Sequence, residues 1–148
     1  MTSTLIVIIA AVLLVLGWIR FSPHNIDEWH MDPADADEPG RNGSRMIGRD
    51  APRFPGDPET ILKALAEVAL SEPGVRFLEG STGEGMLTFV ARTKVLGLRD
   101  YVTVKAVAEG RETKLAVISR ARISQGTDGG RNRERLDRWL AELQVRLT

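Results

Sequence analysis

The sequence predicts an α+β protein, in which an N-terminal transmembrane helix precedes a two-layer domain of order α-β-β-β-β-α. Three observations predict this class. The chain opens with an uncharged apolar run, four later segments alternate with a period of two, and two segments carry apolar residues at helical spacing. Hairpin-length turns between the alternating segments favour a four-stranded antiparallel sheet. Two amphipathic helices on such a sheet form a second layer.

The opening run predicts a transmembrane anchor over residues 1–20. Met1 to Ile19 contains no charged side chain, and a helix of that length spans roughly 28 Å, close to the hydrocarbon core of a bilayer. Trp18 and Arg20 lie where an interfacial aromatic and a snorkelling cation belong. A cleaved signal peptide is the alternative. Such peptides carry Lys or Arg before the apolar run and a small-x-small site after it, and this run has neither.

Residues 21–56 predict a juxtamembrane linker or an ordered extended arm, because they are rich in Pro, Gly and Asp and show no apolar periodicity. Trp29 and His30 stand out in this polar stretch. One interpretation is a metal-binding or ligand-binding element built from His24, Asp27, Glu28 and His30. The favoured alternative is that Trp29 packs the arm on the domain or lies at the lipid headgroups, with His30 merely exposed. Two histidines in a loop are weak grounds for a metal site, so we expect no metal and no cofactor.

The α+β domain is predicted over residues 57–148. Asp57 is expected to cap the first helix and Pro58 to begin it. Four strands are predicted near residues 76–81, 87–92, 101–106 and 115–121, with one face of their sheet buried. The terminal helix presents Trp139 and Leu140 on its apolar face, so we expect both to be buried on the sheet.

The glycine-rich segment before the terminal helix has two interpretations. Asp128 or Thr127 can cap the first free N–H groups of the helix. Those N–H groups could instead bind an anion with the help of nearby arginines, namely Arg120, Arg122, Arg131 and Arg133. Capping is favoured, because a carboxylate and a bound anion compete for the same donors. The segment also lacks the Gly-Lys-Ser/Thr ending of a phosphate-binding P-loop.

Two segments, KVLGLRDYVTVKA and SRARISQGTDGGRNRERLDRWL, resemble the bacterial and plastid family called Domain of Unknown Function 1499. Gly97 and Asp100 match the family's stretch before a strand. The second segment matches a strand end and the opening of the last helix, at Ser119, Arg120, Asp128, Gly130, Asn132 and Arg135. The resemblance covers about residues 57–143, and EWHMDP after an anchor looks like the arm of many members.

The resemblance implies the fold and a membrane-associated setting on the extracytoplasmic side. By the positive-inside rule, Arg20 alone would favour a cytoplasmic domain. We expect a single-pass protein of a bacterial inner membrane, with its domain outside the cytoplasm.

The composition argues against several functional classes of protein. A net charge of zero and a pI near 6.8 argue against a nucleic-acid partner. The lack of cysteine excludes thiolate chemistry, and a domain without histidine does not predict a Ser-His-Asp hydrolase. The candidate polar cluster contains Asp100, Arg120, Arg122, Asp128, Asn132 and Arg135. We interpret it as acids paired with Arg120 and Arg122, which would fix the strand ends.

The leading functional hypothesis is a membrane-anchored module that binds another component of the cell envelope, with an envelope protein as a possible partner. The second is an enzyme that uses Asp100, Arg120 and Asp128 at the sheet edge, which requires the two acids to converge unpaired. The third is a lipid or isoprenoid carrier, which requires an apolar cavity between the helices and the sheet.

Overall fold

A computed structural model describes residues 1–123 and 126–148 and confirms the α+β class. The helices of the described residues are α1 Thr2–Phe21, α2 Ile26–Trp29, α3 Pro58–Ser71 and α4 Arg131–Arg146. The strands are β1 Gly43–Met46, β2 Arg53–Pro55, β3 Val75–Ser81, β4 Met86–Arg92, β5 Arg99–Glu109 and β6 Glu112–Ala121. Single-turn 3-10 helices, Gly40–Asn42 and Gly48–Asp50, flank β1.

Helix α1 is apolar and none of its residues is buried; residues 2–16 are exposed, and the domain contacts only the last turns. Among the described residues, it is the one helix long and apolar enough to cross a membrane. An N-terminal signal sequence meets the same criterion of length and composition.

The sheet is antiparallel and contains six strands, so the expected count of four was wrong. The strand order is β1-β6-β5-β4-β3, and β2 also pairs with β6 beyond β1. The four long strands lie where the period-two alternation predicted them. The two additional strands come from the arm and have four and three residues. Such short segments show no period of two, yet they pair the backbone of β6, which would otherwise be an open sheet edge.

Helices α3 and α4 cover one face of the sheet, as predicted. Asp57 caps α3 by accepting a hydrogen bond of 3.0 Å from the Thr60 backbone N–H. Trp139 on α4 is buried, its ring meeting that of Phe89 edge-on at 5.9 Å, and Leu140 is partly buried against the same core.

The opposite face of the central strands is also buried, which corrects the expectation of a single buried face. Thr88, Val90, Tyr101 and Thr103 point to this face and are almost fully enclosed. The arm with α2 covers them. Polar side chains beneath the arm are satisfied, since Thr88 and Thr103 share a hydrogen bond of 2.7 Å and Thr103 donates to the Trp29 carbonyl at 2.8 Å.

Candidate functional site

A buried cluster of charged and polar side chains joins the end of the sheet to the start of α4. We call it the Asp100 cluster, and its members are Asp100, Ser119, Arg131, Asn132 and Arg135. The Asp100 carboxylate is 0% exposed and accepts two hydrogen bonds from Arg131, both of 2.7 Å. A third, of 3.0 Å, comes from Arg135 Nη2. Bidentate pairing of this kind fixes orientation as well as adding energy.

Asn132 connects the Asp100 cluster to the neighbouring elements. Its Oδ1 accepts hydrogen bonds from Ser119 Oγ at 2.6 Å and from Arg135 Nη1 at 2.9 Å. Its Nδ2 donates to Asp128 Oδ2 at 2.7 Å and to the Asn42 carbonyl at 3.3 Å. This one side chain, which is completely buried, therefore links β6, α4, the arm and the glycine-rich segment that contains Asp128.

Asp128 sits at the start of α4 in a capping arrangement. Its Oδ1 accepts from the Gly130 N–H at 2.8 Å, and its Oδ2 accepts from the Asn132 N–H at 3.2 Å. Gly130 itself lies at φ +86°, a left-handed conformation that glycine tolerates best. Burial raises the pKa of Asp128, but hydrogen bonds from Asn132 and from the Gly130 backbone outweigh burial and hold that pKa below its ordinary value of 3.8. The ionised form is therefore the one that the loop stabilises.

Arg120 and Arg122 do not pair with these acids, which corrects the expected arrangement. Side chains alternate along β6, so Ser119 lies on the sheet face covered by α3 and α4, and Arg120 lies on the face covered by the arm. Arg120 donates to the Glu28 carbonyl at 2.8 Å, and its guanidinium lies 4.7 Å from the Trp29 ring centroid. Arg122 donates to Ser22 Oγ at 2.6 Å and lies 4.9 Å from the Trp18 ring centroid. The arginines that bind Asp100 come from α4 instead.

The arm is held on the sheet by Trp29 and by both histidines. Trp29 stacks on Tyr101 at a centroid distance of 4.2 Å and an interplanar angle of 11°. His24 Nδ1 is hydrogen-bonded to the Tyr101 hydroxyl at 2.8 Å and accepts from Arg99 at 3.4 Å. Burial lowers the pKa of His24, and Arg99, Arg92 and Arg122 lower it further by charge repulsion.

His30 is not the exposed side chain that the sequence suggested, because its side chain is only 10% exposed. It is hydrogen-bonded to Thr88 at 2.8 Å and to Glu84 at 2.9 Å. Gly80 makes room for it, since a β-carbon there would lie 2.9 Å from His30 Cε1 and 2.0 Å from the Met86 carbonyl oxygen. The two histidines thus have separate partners, and within residues 1–123 and 126–148 no three potential metal ligands converge.

A second feature, which the sequence did not predict, is an open cleft beside the last turn of α1. We call it the basic cleft. It has a volume of about 490 Å³, and four cations line it: Arg20, Arg76, Arg92 and Lys94. The remaining lining residues are Phe21, Pro73, Gly74 and Thr93. Arg20, Arg76 and the neighbouring pair Arg92 and Lys94 are distant from one another in sequence, so no local spacing could have revealed that the sheet brings them together.

Residues 23–143 match a family described as protein of unknown function (DUF1499). The chain belongs to this family. The DUF1499 match starts before α2, so the region that defines the family includes the arm as well as the domain from α3 to α4. A comparison with the curated proteins gives no significant match.

The DUF1499 residues quoted from the sequence now have a structural explanation. Asp100, Ser119, Asn132 and Arg135 bond to one another inside the Asp100 cluster, and Asp128 is tied to it through Asn132. In this DUF1499 protein, the acids at the sheet edge are engaged by arginines, asparagine and backbone N–H groups. The space between the helices and the sheet is filled by a continuous set of buried apolar side chains, whereas the large cleft is open and basic.

Proposed function

We propose that the chain is a membrane-anchored binding module of the cell envelope, in which α1 holds the domain at the bilayer surface. The observation that carries this proposal is the bonding of the last turn of α1 to the domain. Arg99 Nη2 donates to the Arg20 carbonyl at 2.9 Å, and Arg122 contacts Trp18 and Ser22. Cleavage of α1 as a signal peptide would remove Arg20 and Trp18 and with them two of these three contacts, so the geometry favours a retained helix.

Binding is favoured over catalysis because the carboxylates of Asp100 and Asp128 already accept hydrogen bonds from the chain itself. A general base needs a free carboxylate within hydrogen-bond reach of a substrate proton. Asp100 has no exposed surface and accepts three hydrogen bonds from two arginines. Asp128 accepts from the N–H groups of Gly130 and Asn132. Both carboxylates are therefore occupied by hydrogen bonds within the domain. We infer that the domain functions through its surface.

We further propose that the domain lies on the extracytoplasmic side of a bacterial inner membrane, as a single-pass protein. The chain has no cysteine, so one introduced cysteine gives an unambiguous label. Arg111→Cys suits this purpose, because Arg111 is exposed in the turn between β5 and β6. A membrane-impermeant maleimide should label it in intact cells. Labelling only after the inner membrane is permeabilised would place the domain in the cytoplasm.

The binding proposal is tested by photo-crosslinking of the full chain in its membrane. A photoreactive residue is placed at Phe77 on the free edge strand β3, and at Val145 on the outer side of α4 as the matched control; both side chains are exposed. We expect a discrete adduct of higher mass from the Phe77 position and not from the Val145 position. If neither position, nor any other exposed position of the domain, gives an adduct above the monomer, the domain is not a protein-binding module.

A further inference from the structure

We infer that the basic cleft binds the phosphate-bearing headgroup of an anionic lipid, an assignment that rests on the proposed anchoring by α1. The first observation is unbalanced charge. Among the ion pairs of the described residues, none involves Arg20, Arg76, Arg92 or Lys94. Four cations therefore converge, and no carboxylate of residues 1–123 or 126–148 forms an ion pair with any of them.

The second observation is a pair of like charges, one of which, Arg92, lines the cleft. Arg92 and Arg99 are direct cross-strand partners on β4 and β5, a position at which like charges destabilise a sheet. Arg99 is only 4% exposed, and its Nε has no hydrogen-bond partner. Burial lowers the pKa of Arg92, and the charges of Arg99 and Arg20 lower it further. A bound anion would relieve this repulsion.

The third observation is the position of the cleft at the end of the apolar helix. Arg20 and Phe21 form one wall, so a bilayer that contains α1 has its headgroup region at this level. A soluble anion would not need such a position. A headgroup is already held there at high local concentration.

The fourth observation is the loop between β4 and β5, which borders the same cleft. Hydrogen bonds close it on itself, with the Thr93 N–H donating to the Leu98 carbonyl at 2.9 Å and the Leu98 N–H to Thr93 Oγ1 at 3.0 Å. At its tip, Val95 is 92% exposed and Leu96 51% exposed. A β-carbon on Gly97 would lie 3.5 Å from Arg20 Nη1, so the loop is adjacent to the end of α1. Exposed apolar side chains next to cations are typical of segments that lie in a membrane interface.

The size of the cleft agrees with this ligand. Its volume of about 490 Å³ falls within the range of roughly 300–1,000 Å³ found for small-molecule sites. It is open on one side, which is required for a headgroup that remains attached to acyl chains in the bilayer. Arginine and lysine at its walls supply the hydrogen-bond donors that phosphate oxygens accept.

The test uses the full chain in a neutral maltoside detergent. It is titrated with short-chain phosphatidylglycerol, with phosphatidylcholine of the same chain length, or with inorganic phosphate, and the dissociation constant is measured from tryptophan fluorescence. The cleft variant is Arg76→Gln with Lys94→Gln. The control variant is Arg49→Gln with Arg111→Gln, which removes the same charge from exposed residues outside the cleft. All four positions are exposed, so each variant should melt like the wild type without lipid.

We expect phosphatidylglycerol to bind at least about 10-fold more tightly than phosphatidylcholine. The cleft variant should lose about 25-fold in affinity for phosphatidylglycerol, from about fivefold for each basic residue near a membrane surface, and the control variant should stay near the wild type. Equal affinity for the two lipids, or equal losses in the two variants, would overturn the assignment. Inorganic phosphate that binds as tightly as phosphatidylglycerol would make this a site for a soluble anion and would also overturn it. Neither failure bears on the adducts that test the protein-binding proposal.

Discussion

Asp100→Asn is the substitution that tests whether the buried acid holds the fold. Asparagine has nearly the same size, but its amide nitrogen would face an arginine donor, and the charge that neutralises Arg131 and Arg135 would be lost. Arg135 is buried and its Nε already lacks a hydrogen-bond partner. Removing one partner of a buried ion pair costs about 3–5 kcal/mol, because the remaining charge is left uncompensated.

Asp137→Asn is the matched control, because Asp137 also pairs with an arginine on α4. That pair, with Arg133 at 3.1 Å, is solvent-exposed, and exposed pairs four residues apart contribute only about 0.3–0.5 kcal/mol. Thermal melting of the full chain in mild detergent, followed by near-ultraviolet circular dichroism, should show Asp100→Asn melting roughly 10 °C or more below the control. If the two variants melt within about 2 °C of each other, the Asp100 cluster does not stabilise the fold as described. If Asp100→Asn melts like the control but loses the adduct or another measured activity of the domain, Asp100 would be a candidate catalytic acid.

Three further predictions follow from the loop, the arm and the domain boundary. Asp128→Ala should cost about 0.5–2 kcal/mol of unfolding free energy, and Asp128→Asn should cost part of that, because the two carboxylate oxygens serve different donors and asparagine retains one acceptor. Since the pKa of Asp128 is lowered by folding, its stabilisation is complete above about pH 4 and is lost as the pH falls through the lower folded value. The difference in unfolding free energy between wild type and Asp128→Asn, measured by denaturant melts, should therefore decrease in acid. A difference that does not change with pH would contradict this. Proton NMR should show His24 titrating below its ordinary value of 6.5, in a spectrum with only two histidines; a midpoint at or above that value would mean that the arm is not docked on Arg99. A chain that begins at Ser22 should fold, whereas one that begins at Asp50 should aggregate, because it lacks β1 and Trp29; equal solubility and melting of the two would show that the arm is dispensable.

Local periodicity was sufficient to predict most of the fold. The long strands carry enough residues for a period of two to show, and α3 and α4 each place their apolar residues on one side. The helix cap at Asp57 could also be predicted from the sequence, because capping depends on residues three apart. Strands β1 and β2 could not be predicted, because their pairing is determined by the open edge of β6 and not by their own composition.

The candidate site was predicted less completely, because side-chain pairing depends on tertiary direction. Asp100, Asn132 and Arg135, grouped from the sequence, lie in one hydrogen-bonded cluster, but the arginines that bind the acid are Arg131 and Arg135 and not Arg120 and Arg122. Strand alternation turns Arg120 to the arm face, and only the docking of α4 brings Arg131 to Asp100. The basic cleft was missed for a similar reason, since its cations come from three separate parts of the chain.

The most direct test of the central claim is the intact mass of the protein that remains in membranes after an alkaline carbonate wash. If α1 is a retained anchor whose last turn is bonded to the domain, the pellet should contain the complete chain of 16.3 kDa. A mass that lacks residues 1–21 would show that α1 is a cleaved signal sequence, and a complete chain released into the wash would show that α1 does not anchor it. Either result would contradict a domain held at the bilayer surface.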